Sequence, residues 1–149
     1  MNMIDSAKAQ VRQLTVAAYE KAAAAGLLPA GTTTEPAVEI PKDTANGDYT
    51  TTFCLAAAKA MKMNPRQVAQ TLIDHMTLEG SYFTSVEIAG PGFMNFRLGT
   101  KWFSDTVAAI ETMGERYGEN DTLSGKKYMV EFVSANPTGP MHMGNARGG

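Results

Sequence analysis

The stretch from Phe83 to Leu98, FTSVEIAGPGFMNFRL, decides the fold that this 149-residue sequence predicts. The runs Phe83–Ile88 and Phe93–Leu98 read as two β-strands, and Gly90-Pro-Gly92 between them is typical of a hairpin turn. Because successive strand side chains point to opposite faces, half of the second strand should face a core and half should face outward. The inward residues are Met94, Phe96 and Leu98, and the outward residues are Phe93, Asn95 and Arg97.

The outward row of the second strand suits an unpaired nucleic-acid base. The ring of Phe93 can stack on the base, the amide of Asn95 can bond the base edge, and the guanidinium of Arg97 can hold a phosphate. The same row also fits a half-buried strand without a binding role, since single exposed apolar residues are common on protein surfaces. The residues alone leave both interpretations open.

Helical patterns flank the hairpin on both sides, so the sequence predicts an α+β domain of about 117 residues. The predicted elements are a helix from a cap at Asp5 or Ser6 to Ala25, a strand at Ala37–Ile40, a helix from Asp48 or Thr50 to Met63, a helix from Asn64-Pro65 to Gly80, the hairpin, and a helix from Thr100 to Tyr117. The last helix has one apolar face, made of Phe103, Val107, Ile110, Met113 and Tyr117.

A second pattern begins after a polar linker at residues 118–127. The apolar run Tyr128–Val133 predicts a strand buried on both faces, as in a parallel sheet. Pro137 and Pro140 end this strand, Gly139 permits a tight turn, and the first turn of a helix should follow. In open α/β sheets, ligands bind just beyond the carboxyl ends of such strands.

The loop after this strand has the chemistry of a phosphate site. A helix N-terminus offers free N–H groups, Gly144 allows close approach, and His142 and Asn145 can donate hydrogen bonds. An ordinary Gly/Pro loop with a surface histidine is the alternative, and the local chemistry does not decide between the two. The pattern G-x-x-x-x-G-K-[ST] of other phosphate loops does not occur in the sequence.

Composition bounds the possible functions. Hydrophobic residues make up 44% and charged residues 19%, which is typical of a globular protein, and the net charge of −2 argues against non-specific RNA binding. One cysteine, Cys54, suits a reducing compartment, and no metal site is expected from two histidines far apart in sequence. No stretch reaches membrane-spanning length.

Residues 134–149 resemble the HIGH-type signature loop of class I aminoacyl-tRNA synthetases. The arrangement S-A-N-P-T-G-P-x-H-x-G followed by A-R-G-G is similar to that of arginyl-tRNA synthetases in particular. The signature residues are Ala135, Asn136, Pro137, Thr138, Gly139, Pro140, Met141, His142, Met143, Gly144 and Asn145. Earlier in the chain, Gly47-Asp-Tyr49, Asn64-Pro65 and Ala89–Leu98 resemble markers of the additional N-terminal domain of the same family.

The resemblance implies a domain order for the chain. Residues 1–117 would form an α+β domain that binds the elbow of tRNA, residues 118–127 a linker, and residues 128–149 the first strand and loop of a Rossmann-like α/β catalytic domain. In the family, an aromatic-x-Asn on the hairpin contacts a D-loop base, and the matching positions are Phe93 and Asn95; Arg97 would add a phosphate contact. The chain would then be an N-terminal fragment of an arginine–tRNA ligase, inactive alone.

The resemblance also implies roles for the signature loop. Arginine would contact Glu131, Ser134 and Asn136, and ATP would contact Pro140, His142, Gly144 and Asn145. His142 and Asn145 would be the catalytic residues. Asn145 stands where the family usually has a second histidine, and unlike histidine it cannot become cationic. For Glu131, an ion pair with Lys126 or Lys127 is the alternative role.

The implied partners are tRNA(Arg), arginine and ATP. ATP is expected as a substrate with Mg²⁺, no tightly bound cofactor is expected, and the protein is expected to be a cytoplasmic monomer without a membrane partner. Two other interpretations stay open: a stand-alone RNA-elbow binding module, and a different nucleotidyl transferase with an H-x-G-H-like loop. The first would not need the signature loop, and the second would not need the N-terminal domain.

Overall fold

The computed structural model of the chain describes residues 2–31, 34–136 and 138–148. It contains two compact units, Met1–Glu119 and Asn120–Gly149. The first unit holds the long helices and the sheet, and the second holds loops and one short helix. Among the described residues, no helix has both the length and the apolar character needed to cross a membrane.

The first unit is an α+β arrangement, as the sequence predicts. Its elements are α1 (Met3–Ala24), β1 (Val38–Glu39), β2 (Tyr49–Thr51), α2 (Phe53–Met61), α3 (Pro65–Asp74), β3 (Phe83–Ala89), β4 (Phe93–Leu98) and α4 (Thr100–Met113), with short 3₁₀ helices at Thr44–Asn46 and Gly114–Arg116. The strands form one antiparallel sheet in the order β1-β2-β4-β3.

The predicted hairpin supplies a central strand of this sheet, β4, and an edge strand, β3. Met94 and Phe96 of β4 are fully buried, as expected for the inward set, and they lie in one core with residues of α1, α2 and α3. The Phe96 ring packs edge-on against Phe83 of β3, with 5.3 Å between ring centroids. Leu98 is only partly buried at the edge of this core. Alternation along one strand therefore places the core correctly.

The helix starts differ from the predictions where tertiary pairing decides them. Asn2 caps α1, because its Oδ1 accepts hydrogen bonds from the Ile4 and Asp5 N–H groups at 3.0 and 3.4 Å, so the predicted cap at Asp5 or Ser6 is wrong. The predicted start of the second helix at Asp48 or Thr50 is also wrong. Residues Tyr49–Thr51 instead pair with β4 as a strand, and the helix begins after them.

The third helix begins as predicted and ends earlier. The Asn64 Oδ1 accepts a hydrogen bond from the Arg66 N–H at 2.9 Å, with Pro65 in the first turn. Its last residue is Asp74 rather than one next to Gly80, and the C-terminal cap is His75.

The apolar face of α4 is largely exposed and does not pack against the core. The exposed fractions are 55% for Phe103, 56% for Val107, 43% for Ile110 and 40% for Tyr117. A different face of the helix meets the core through Trp102, whose indole N–H donates to the Met3 carbonyl at 3.2 Å. The helix also begins at Thr100 with Gly99 as its cap and ends at Met113, so Thr100 is not the cap and Tyr117 lies beyond the helix.

The second unit does not contain the predicted strand. Residues 128–133 form neither helix nor strand, and the exposed fractions are 97% for Met129 and 72% for Phe132. A strand needs a neighbour for its backbone hydrogen bonds, and the described residues of this unit supply none. The Rossmann-like start is therefore not confirmed. The expected helical turn after the loop is a 3₁₀ helix at Met143–Gly148, and Pro137 lies outside the described residues.

Candidate RNA-binding groove and signature loop

A groove of about 340 Å³ lies on the first unit, where the outer face of β4 meets the loop that leads into β2. The groove is lined by polar, aromatic and cationic side chains and by the backbone of the hairpin turn. The lining residues are Pro41, Lys42, Asn46, Thr50, Ala89, Gly90, Phe93 and Asn95.

One wall of the groove is the loop before β2, and Gly47 lets this loop lie against β4. Gly47 has φ +88°, and a Cβ there would lie 2.9 Å from the carbonyl oxygen of Phe96. The next residue, Asp48, donates its N–H to the same carbonyl at 2.9 Å and accepts the Leu98 N–H on its carboxylate at 2.8 Å. The Gly47-Asp-Tyr49 marker thus has a structural role, since it ties the loop to the hairpin.

The opposite wall is the hairpin turn, which α3 supports. Gly92 has φ +140°, and a Cβ there would lie 2.8 Å from the Cβ of Pro65. The Arg66 guanidinium donates to the Gly90 carbonyl oxygen. The Asn64-Pro65 and Gly90-Pro-Gly92 markers therefore meet in space and fix where the groove ends.

The structure brings together two of the three residues predicted to bind RNA. Phe93 and Asn95 both line the groove, with the Phe93 ring half-buried. Asn95 is only 7% exposed, which is less than expected for an outward residue. Arg97 does not line the groove: its guanidinium donates to the Ala45 carbonyl at 2.8 Å and lies 4.0 Å from the Glu87 carboxylate. Arg97 thus helps to hold the groove's loop.

Sequence reasoning missed three polar groove residues: Lys42, Asn46 and Thr50. Lys42 and Asn46 come from the loop and are exposed, whereas the Thr50 hydroxyl is shielded from solvent. Their closeness to the Gly47-Asp-Tyr49 marker was the available signal. Together they add a cation, an amide and a hydroxyl to the ring and amide of β4, so the groove can stack one planar group, bond its edge and attract a phosphate.

The signature loop forms a separate pocket of about 350 Å³ inside the second unit. Short-range hydrogen bonds shape it: the His142 N–H donates to the Asn145 side-chain oxygen at 3.0 Å, and the Gly144 N–H donates to the His142 Nδ1 at 3.1 Å. The lining residues are Ser134, Ala135, Asn136, Thr138, Gly139, Pro140, Met141, His142 and Asn145.

Most residues predicted to bind arginine or ATP line this pocket, but Glu131 and Gly144 do not. Glu131 is exposed, and within the described residues it forms no ion pair with Lys126 or Lys127. In the same described part of the chain, no group of three or more His, Cys, Asp or Glu side chains is placed to hold a metal ion.

Comparison with known proteins identifies the family. Residues 8–98 match the sequence model described as the arginyl tRNA synthetase N terminal domain. The chain belongs to this family. The match confirms the resemblance found in the sequence, and it spans both walls of the groove.

Full-length relatives of this family extend the similarity to almost the whole chain. The arginine–tRNA ligase of Acetivibrio thermocellus is 46% identical over 99% of the chain, and that of Ruminiclostridium cellulolyticum is 42% identical over 99%. The chain covers 26% of each of these proteins and matches them as their N-terminal part.

A solved structure shares the fold. The crystal structure of arginyl-tRNA synthetase from Plasmodium falciparum matches with a TM-score of 0.52 and 11% identity, over 66% of this chain and 17% of that one. At this identity the match concerns the fold alone.

Proposed function

We propose that this chain is part of an arginine–tRNA ligase, which activates arginine with ATP and transfers it to tRNA(Arg). The observation that carries this proposal is the 46% identity to such a ligase over 99% of the chain. A stand-alone RNA-elbow module would leave the signature loop without a role. A different nucleotidyl transferase would leave the N-terminal domain without one.

The first unit would bind the elbow of the tRNA through its groove. An unpaired D-loop base would stack on Phe93 and bond Asn95 through its edge, and Lys42 would attract the adjoining phosphate. Arg97 stays a candidate for a weaker phosphate contact, because its guanidinium is half-exposed besides its bond to Ala45. The net charge of −2 fits a small, specific contact.

The second unit would contribute to the reaction site. Glu131, Ser134 and Asn136 would contact arginine, and Pro140, His142, Gly144 and Asn145 would contact ATP. The carboxylate of arginine would attack the α-phosphorus of ATP, and pyrophosphate would leave. Such a site works by positioning and charge stabilisation, so the neutral amide of Asn145 suffices as a donor.

The remaining expectations follow from this function. ATP, with Mg²⁺ on its phosphates, would be a substrate rather than a tightly bound cofactor. We propose a monomer located in the cytoplasm. The single cysteine, buried Cys54, supports the location, because it suits a reducing compartment.

Titration of the chain with tRNA(Arg) transcripts tests the RNA contact. Phe93→Ala should weaken binding by about 1–3 kcal/mol, because it removes one stacked base, and Asn95→Ala should mainly reduce discrimination between D-loop bases. Arg97→Ala should weaken binding to every transcript and lessen its salt dependence.

The matched control is Phe103→Ala, which removes an exposed ring on α4 outside the groove and should bind like the parent. If Phe93→Ala, correctly folded, also binds like the parent, the groove is not the RNA site.

A full-length enzyme that carries this sequence tests the arginine contact. Glu131→Gln should weaken arginine binding by about 2–5 kcal/mol and ATP binding much less, because a buried guanidinium loses its charged partner. Isothermal titration with each ligand measures both. Equal losses for the two ligands would indicate a folding defect, and unchanged arginine affinity would remove Glu131 from the site.

A further inference from the structure

Thr50 lies directly beside Asn95 in the groove. The two residues are register partners in the antiparallel β2–β4 pair, so their side chains share one face of the sheet, and both line the groove. Thr50 belongs to the strand that the sequence did not predict.

The Thr50 hydroxyl is an unusual group in this position. It is shielded from solvent, and it has no hydrogen-bond partner among the residues that the structure describes. Buried hydroxyls are nearly always bonded, because an unbonded one loses its contacts with water without replacement. Valine has nearly the same shape and is favoured in strands, so it would fill the space without this cost. The hydroxyl therefore calls for a role that packing does not supply.

The neighbouring amide has a choice of orientation. An asparagine side chain presents an acceptor oxygen on one side and a donor NH₂ on the other, and the side that faces a ligand decides which base edge it can bond. In the described part of the structure, no hydrogen bond holds the Asn95 amide in one orientation. Its other register partner, Glu87, is largely exposed and lies 4.0 Å from Arg97, so among the residues directly opposite Asn95 in the sheet the Thr50 hydroxyl is the remaining candidate partner.

We infer that Thr50 is a positioning residue for base recognition in the groove. Its hydroxyl bonds the Asn95 amide when a base is bound and fixes which end of the amide faces that base. Thr50 acts through Asn95 rather than on the base, because its oxygen is shielded from solvent. This inference rests on the proposed function, in which the groove receives an unpaired D-loop base.

The experiment measures base discrimination with the 149-residue chain. The probes are tRNA(Arg) transcripts in which each unpaired D-loop base is replaced in turn by the other three, and the readout is the ratio of Kd values between the best and worst base at the most sensitive position. The parent should discriminate by about tenfold or more, as one well-formed amide–base contact allows. Thr50→Val should lower this ratio to within about twofold of the Asn95→Ala ratio, and Thr50→Ser, which keeps the hydroxyl, should retain the parent ratio within about twofold.

A second readout separates this role from packing. Thr50→Val should raise the midpoint of thermal unfolding of the free chain by about 3 °C, because it removes an unbonded buried hydroxyl. Poorer discrimination in a more stable protein is the signature of a positioning role.

Each other outcome overturns the inference in a recognisable way. If Thr50→Val keeps the parent ratio while Asn95→Ala loses it, Thr50 has no positioning role and the proposed RNA site stands. Equal loss in Thr50→Val and Thr50→Ser would show that keeping the hydroxyl does not preserve discrimination, and this contradicts the inference. If the parent binds no transcript, or binds all of them equally, the base-binding groove fails and the inference fails with it.

Discussion

The two units of this chain hold their candidate functional residues by different means. In Met1–Glu119, Phe93 and Asn95 belong to a strand that is paired on both sides, above the fully buried side chains of Met94 and Phe96. In Asn120–Gly149, the signature loop is shaped by bonds between residues two or three positions apart, such as His142 and Asn145, and Phe132 is 72% exposed. A specific sequence motif therefore does not imply that tertiary contacts fix the site. The signature loop has the more specific motif, whereas the groove residues are held by more tertiary contacts.

Amide hydrogen exchange should show the largest difference between the two units. Exchange at Met94 and Phe96 requires opening of the central strand, whereas Val130 and Phe132 are exposed residues outside any helix or strand. We expect the first pair to exchange about 10⁴-fold more slowly than the second, after correction for intrinsic rates, if the first unit has ordinary domain stability.

The exchange measurement is made by NMR on the monomeric chain, so that intermolecular pairing does not protect residues 128–133. Strong protection at Val130 and Phe132 under these conditions would show that this segment is paired or packed, and the contrast between the units would disappear.

The same contrast explains which parts of the fold could be predicted. The hairpin follows from local signals, the alternation along Phe93–Leu98 and the Gly90-Pro-Gly92 turn, and the structure confirms it. Strand β2 has only the residues Tyr49–Thr51, β1 beside it has only two residues, and its other partner β4 lies more than 40 positions away, so local patterns favoured a helix there. The exposure of the apolar face of α4 could not be predicted for a related reason, since amphipathic periodicity does not say which face meets the core.

The candidate site divides in the same way. Phe93 and Asn95 were predictable, because a strand's period places both on one face. Lys42, Asn46 and Thr50 had only their closeness to the Gly47-Asp-Tyr49 marker as a signal, because the contact between Gly47 and the Phe96 carbonyl and the pairing of β2 with β4 bring them to the groove. That contact joins residues far apart in sequence. The direction of Arg97 was also unpredictable, since the Ala45 carbonyl that receives its guanidinium belongs to the same loop.

A matched pair of phenylalanine substitutions should give the next largest effect. Phe96→Ala removes a fully buried ring that packs against Phe83, and it should lower the free energy of unfolding by about 3–5 kcal/mol. Phe132→Ala removes an equally large ring that is 72% exposed, and it should change this free energy by less than about 0.5 kcal/mol.

Urea unfolding followed by the fluorescence of Trp102, the one tryptophan of the chain, measures both variants. Trp102 reports on the first unit, because its indole N–H is bonded to Met3. A loss of more than about 1 kcal/mol in Phe132→Ala would mean that this ring supports the first unit, and the two regions would then share one cooperative transition.

Alkaline pH should give the smallest effect, through the single cysteine in the first unit. Burial raises the pKa of the Cys54 thiol to about 12, from 9.0 for a thiol without this environment. As pH rises above about 9, the unfolded chain loses this proton while the folded chain keeps it, so ionisation stabilises the unfolded state. The contribution is fully present below about pH 9 and is lost progressively towards pH 12. Between pH 8 and 10 we expect a loss of about 1.4 kcal/mol from this group.

The control for this titration is Cys54→Ala. The variant starts from a lower stability, because it leaves a small cavity in α2, but its stability should fall less between pH 8 and 10. Tyr49, whose pKa burial also raises, is present in both proteins and cancels from the comparison. The difference between the two slopes therefore belongs to Cys54. The one cysteine of the chain lies in the first unit, so equal slopes would show that its thiol is as accessible to water in the folded chain as in the unfolded one. That result would contradict the close packing around Cys54, which is the property that distinguishes the first unit from residues 120–148.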